Sequence, residues 1–108
     1  YTRELGSLQG VGMMPVNTWN TPNFWLSCMI TRKVKPVAIM EALEKENIDS
    51  RPIWKPMHMQ PYYMKYGFVD NGGVAEDIFE NGVCLPSDTK MTEEDLNKIS
   101  SIIKGLWS

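Results

Sequence analysis

Apolar positions fall into short runs and helical stripes, and the two kinds alternate along the chain. Phe24 to Thr31 carries Trp25, Leu26, Cys28, Met29 and Ile30 between Pro22-Asn23 and Arg32-Lys33, which predicts a mostly buried strand. Pro36 suits the first turn of a helix, and Val37, Ile39, Met40 and Leu43 then place an apolar stripe opposite Glu41, Glu44 and Lys45. This helix is predicted over 36–46, with Asn47 in the left-handed conformation that ends it. Residues 48–53 read as a short strand. Pro52, Pro56 and Pro61 remove three backbone donors, so 52–61 reads as an ordered, non-helical loop.

Asp70-Asn71-Gly72-Gly73 marks a turn. After it Val74, Ala75, Ile78 and Phe79 repeat at helical spacing, with Glu76 and Asp77 in the first turn, and Gly82 ends the helix. Val83-Cys84-Leu85 is a brief apolar strand closed by Pro86. Thr92 caps a last helix with Leu96, Ile99, Ile103 and Leu106 on one face and Glu93, Glu94 and Asp95 at its N-terminus. Residues 1–22 hold three glycines and two prolines; beyond a helical stub at 1–5 they read as a loop wrapped on the core. The order implies an α+β two-layer sandwich, a small, mostly antiparallel sheet with helices on one face.

Composition narrows the function classes. Leu, Ile, Val and Phe supply 25 of 108 residues, enough for one core in a chain of this length. Eleven basic against thirteen acidic residues give a net charge of −2 and no basic stripe for nucleic acid. No apolar run approaches a membrane span, and residues 1–20 lack the order of a signal peptide, so a cytoplasmic location is expected. Cys28 and Cys84 lack C-x-x-C spacing, and with one histidine, His58, they read as reduced structural thiols with no metal site. Phosphate-loop, dinucleotide, zincin and serine-elbow motifs do not occur. The opening Tyr1, with neither an initiator Met nor a cap before it, reads as the interior of a longer chain.

The remaining chemistry is concentrated in Arg51-Pro-Ile-Trp-Lys-Pro-Met-His-Met-Gln-Pro61, a proline-stiffened loop of the kind that holds functional groups in place. On local chemistry alone, Trp54 and Met57 pack on the core while Lys55 and His58 stay solvated. The string nevertheless resembles the W-K-P-M-H-x-Q-P signature in the C-terminal small domain of the DegT/DnrJ/EryC1/StrS sugar aminotransferases. Asn23-Phe24-Trp25-Leu26, the segment 39–50, the segment 74–87 and Met91–Leu96 resemble other stretches of that family in the same order, so the likeness covers about 20–106.

The resemblance implies the small domain of a fold-type I pyridoxal-phosphate enzyme that moves an amino group, from glutamate as a rule, onto a nucleotide-linked keto sugar, and that acts as a dimer. It implies a connecting segment over 1–22 and the small domain over 23–108. The Schiff-base lysine and the acid beside the pyridine nitrogen belong to the family's preceding large domain. None of the eight lysines here is a candidate, so this chain alone is expected to bind no pyridoxal 5'-phosphate and to be inactive. By position in the family, Trp54, Lys55, Met57, His58 and Gln60 line or support the substrate site. His58 is the foremost of them, as a hydrogen-bonding ring for a sugar hydroxyl or phosphate; Lys55 suits a phosphate and Arg51 a donor carboxylate. Phe24 stands where an arginine is frequent, which replaces an anionic contact with an apolar one, and the loop 62–73 falls in a stretch variable among members. A surplus of apolar surface, including Trp19 and Trp25, is expected to face the large domain. Two rivals remain: a stand-alone binding module, and a same-family dehydratase, cyclase or regulatory homologue.

Overall fold

The computed structural model describes residues 1–108. Four antiparallel strands, β1 (Val11–Met13), β2 (Ser27–Thr31), β3 (Arg51–Pro52) and β4 (Gly82–Leu85), form one sheet in the order β1-β2-β4-β3. The two central strands pair with Cys28 opposite Cys84 and Met29 opposite Val83. Side chains alternate across a strand, so Met29, Val83 and Leu85 share one face while the two cysteines share the other.

Helices α1 (Thr2–Leu5), α2 (Pro36–Glu44) and α4 (Glu93–Gly105) cover the first face. Leu5, Ile39, Leu43, Ile99 and Ile103 meet Met29, Val83 and Leu85 there in a single core. The predicted two-layer architecture is therefore present. Helix α3 (Val74–Asn81) runs directly into β4 and is tied to the end of β2 by a bidentate pair, Arg32 to Asp77 at 2.7 and 2.8 Å. The Arg32 guanidinium holds the Asp77 carboxyl below the usual carboxylate range.

Several expectations need correcting. The strand expected from Phe24 begins at Ser27, because Phe24 takes a left-handed φ of 51° and the Asn23 side chain accepts from the Trp25 amide at 3.1 Å. Beyond the helical stub, the loop expected across 1–22 contains β1, which pairs with β2 and is flanked by hydrogen bonds from Val11 to Leu8 and from Arg32 to Gly10. Only the first part of the segment wraps onto the core: Leu5 is wholly buried, and the Tyr1 hydroxyl donates to the Pro86 carbonyl at 2.8 Å, burial pushing its pKa up to about 12, whereas residues 14–21 are exposed. The strand expected over 48–53 is reduced to Arg51–Pro52, since Pro52 has no amide to offer the edge. Within 52–61, Met57–Met59 form one turn of 3₁₀ helix. In α2, Ile39 and Leu43 are buried but Val37 is exposed, so the buried stripe is narrower than expected.

Asn47 adopts the left-handed conformation (φ 57°) beyond α2, as its type allows. Thr92 caps α4 reciprocally: its hydroxyl accepts from the Asp95 amide at 3.2 Å, and the Asp95 carboxylate accepts from the Thr92 amide at 2.8 Å. Those two donors from Thr92, amide and hydroxyl, hold the Asp95 carboxyl below its ordinary range. A carboxyl so lowered stabilises the fold above the ordinary Asp range, and that contribution is lost as pH falls through the lowered value. Thr92→Ala is expected to lower stability by about 0.5–2 kcal/mol in urea denaturation.

Candidate functional site

The face of the sheet opposite the core is the one that carries Cys28 and Cys84. A groove of about 600 Å³ lies there, lined among others by Leu26, Arg51, Trp54, Lys55, Phe79 and Cys84. Gly82 fixes how the chain enters it: a β-carbon at this position would collide with the Ile53 side chain and the Ile78 carbonyl, so only glycine lets the loop after β3 cross so close to β4.

The three prolines deliver the loop's side chains to opposite ends. At the groove, Trp54 is 63% exposed and lies against Trp25, ring centroids 6.0 Å apart at a tilt of 35°. Two indoles here present an apolar, π-rich surface suited to stacking with a flat ring or the apolar face of a sugar. The Lys55 side chain is exposed and takes part in no ion pair, whereas Arg51 Nε donates to Asp49 at 2.9 Å. Lys55 is therefore the groove's unpaired cation. Ser50, also on the lining, has a buried hydroxyl without a hydrogen-bond partner, an unusual state for a buried polar group. Nothing in the sequence distinguished Ser50 from the other serines, because its burial depends on how α2 and β3 are joined.

His58 lies at the other end of the loop and does not line the groove. Its Nε2 is 2.5 Å from Glu76 Oε1 on the first turn of α3, and its ring stacks on Phe68 with centroids 3.8 Å apart. Only 17% of the side chain is exposed. Gln60 Nε2 donates to the Lys55 carbonyl at 3.1 Å and to Met57 Sδ at 3.5 Å, bracing the turn from within, while Met57 itself is exposed. The six residues singled out in the sequence thus divide: Arg51, Trp54 and Lys55 meet at the groove, and His58, Gln60 and Met57 form the turn that carries them. Replacing His58 by Ala removes a part-buried hydrogen bond to a carboxylate together with a ring stack. A loss of about 1–3 kcal/mol is expected in denaturant titration of this chain.

The lysines bear on pyridoxal phosphate. All eight are exposed, and Lys33, Lys98 and Lys104 are engaged with the Trp107 carbonyl, Glu46 and Glu4. A Schiff-base lysine needs a desolvated pocket. With every lysine in solvent, the residues present do not form a pyridoxal-phosphate site.

Comparison with known proteins is informative over the whole chain. The model of the DegT/DnrJ/EryC1/StrS aminotransferase family matches residues 1–104. EpsN of Bacillus subtilis, assigned by its name as a pyridoxal phosphate-dependent aminotransferase, is 37% identical over 99% of the chain, which spans 29% of EpsN. GDP-perosamine synthase of Escherichia coli O157:H7 is 26% identical over the full chain and again 29% of the relative. The chain therefore spans about three-tenths of the length of these relatives. Among solved structures, a DegT/DnrJ/EryC1/StrS aminotransferase from Brucella abortus superposes with a TM-score of 0.84 at 22% identity, covering 99% of this chain and 28% of that one. Streptomyces venezuelae DesV gives 0.85 at 16%, covering 99% and 29%. At these identities the two structures establish the fold.

Proposed function

The chain belongs to the DegT/DnrJ/EryC1/StrS aminotransferase family, and from that premise we propose that it is the C-terminal small domain of a pyridoxal-phosphate-dependent enzyme that aminates a nucleotide-linked keto sugar with glutamate as donor. In this reading the cofactor, its lysine and its ring-nitrogen acid come from a large domain outside the chain, and the complete enzyme is a cytoplasmic homodimer. Residues 1–22 connect to that domain and 23–108 form the small one.

The observation that carries the reading is the make-up of the groove. An unpaired ammonium at Lys55, the exposed indole of Trp54 with Trp25 beside it at the rim, and the unpartnered Ser50 hydroxyl together match a ligand that is anionic, ring-bearing and rich in hydroxyls. Lys55 holds a phosphate of the sugar nucleotide as a point charge. Trp54 stacks on a ring of the same substrate. Arg51, released from Asp49, takes the carboxylate of the amino donor bidentately. His58, its Nε2 held by Glu76 and its ring stacked on Phe68, supports with Met57 and Gln60 the turn that carries Trp54 and Lys55. The exposed surface of Trp19, Phe24 and Trp25 faces the large domain.

The test is turnover by the complete protein of which this chain forms part. Loaded with pyridoxal phosphate and given glutamate, it is expected to convert a nucleotide-linked keto sugar to the amino sugar with stoichiometric 2-oxoglutarate. Dehydration of the sugar without nitrogen transfer, or no reaction with any member of a panel differing in base and keto position, would overturn the reading.

A further inference from the structure

The face of the sheet that carries the groove also carries a pair of thiols. Cys28 on β2 and Cys84 on β4 are direct register partners in the centre of the sheet, both are free, and their sulfurs lie 3.6 Å apart. Directly opposed residues of antiparallel strands have Cα atoms about 4.5 or 5.5 Å apart, and a disulfide accepts about 4.4–6.8 Å. Direct register and sulfurs in contact thus place the pair within the spacing that a bridge accepts. No third His, Cys, Asp or Glu joins the pair to make a metal cluster.

The two thiols differ in access. Cys28 is half-buried, whereas Cys84 is 5% exposed and sits at the floor of the groove, in register with Arg51. From this arrangement we infer that Cys28 and Cys84 form a thiol–disulfide site, in which Cys28 is attacked first by a low-molecular-weight disulfide and Cys84 resolves the adduct into an intramolecular bridge beneath the groove. This site is independent of the amination reading, since it uses neither Lys55 nor the aromatic pair.

The chemistry balances in two exchanges. Cys28, as thiolate, attacks one sulfur of the small disulfide; a Cys28–S bond to that half forms, the small disulfide's S–S bond breaks, and the other half leaves as a thiolate that takes up the proton Cys28 lost. Cys84 sulfur then attacks Cys28 sulfur, the bond from Cys28 to the small thiol breaks, and the second half leaves, taking up the Cys84 proton. Two protein thiols are oxidised by two electrons and one disulfide is reduced to two thiols. Burial, followed by the hydrogen bond and charge of Cys28, pushes the Cys84 thiol up to about 12. Burial therefore suits Cys84 to the second step, in which its attack is intramolecular on a sulfur already in contact with it.

Oxidised glutathione supplied to the folded 108-residue chain tests the inference by intact-mass and peptide analysis. The wild type is expected to lose two hydrogens, to yield one cross-linked pair of peptides containing Cys28 and Cys84, and to recover both thiols with dithiothreitol. Cys84→Ser is expected to stop at a stable glutathione adduct on Cys28, and Cys28→Ser to remain largely unmodified, with circular dichroism confirming that both variants fold. The cysteines are 56 positions apart in sequence. The bridge in the folded chain should therefore be harder to reduce than in urea, by about tenfold or more in its exchange equilibrium with glutathione, because the fold holds the sulfurs in contact. A wild-type chain that accumulates a glutathione adduct without bridging, that links only between molecules, or whose bridge is as easily reduced in buffer as in urea would overturn it.

Discussion

Leu43→Ala is expected to destabilise the chain by about 2–5 kcal/mol, the range for deleting a fully buried leucine side chain. Domains as a class have only about 5–15 kcal/mol of stability to lose. Leu43 has no exposed surface, sits on the inner face of α2, and is one of only eight residues in the core. A core so small has little with which to fill the cavity. Ile103→Ala on α4, equally buried, should cost a similar amount, whereas Val37→Ala on the exposed side of α2 should stay within about 0.5 kcal/mol. Urea midpoints of the three variants check the ranking. A loss at Val37 equal to that at Leu43 would mean that the helix packs on a different face from the one described.

The second large effect is expected at Lys55. In the role proposed for Lys55, Lys55→Ala in the complete enzyme removes a charge-assisted contact to the sugar-nucleotide phosphate, a contact of about 1.5–3 kcal/mol, so kcat/KM for the sugar should fall about 10- to 150-fold. Lys55 is exposed and unpaired in the chain, so the same substitution should leave the urea midpoint nearly unchanged. His58→Ala should do the reverse in proportion, lowering stability through the lost Glu76 and Phe68 contacts. A comparison of kinetics and melting for the two variants separates the residue that meets substrate from the one that holds the loop. An undiminished kcat/KM at Lys55 would remove it from the substrate site.

Local chemistry made much of this fold readable. Pro36 at the start of α2, Asn47 beyond its end, Gly82 after α3 and Thr92 with Asp95 at α4 are residues whose conformational or hydrogen-bonding preference acts within a few positions, and each stands where its type predicts. What escaped depends on distant partners. β1 is three residues beside Gly10, with no alternation to read, and exists because β2 offers it an edge. Phe24 sits in a left-handed conformation that no β-rich run announces, so β2 starts late.

The site was legible in the same uneven way. The loop 51–61 stood out by its prolines and by its resemblance to a family signature, yet the division of its side chains between groove and α3 required Glu76 and Phe68, 18 and 10 positions beyond His58 in sequence. The closeness of Cys28 to Cys84 was equally hidden, since it rests on the register of β2 with β4.

The central claim is that this domain's groove receives the sugar nucleotide. Its most direct test is to follow the two half-reactions of the complete enzyme separately by stopped-flow absorbance, in wild type and Lys55→Ala. Loss of the phosphate contact predicts that the half-reaction with the nucleotide-linked sugar slows about tenfold or more at limiting sugar concentration, while the half-reaction with glutamate keeps its rate. Equal slowing of both halves, or a sugar half-reaction as fast as wild type, would contradict the account.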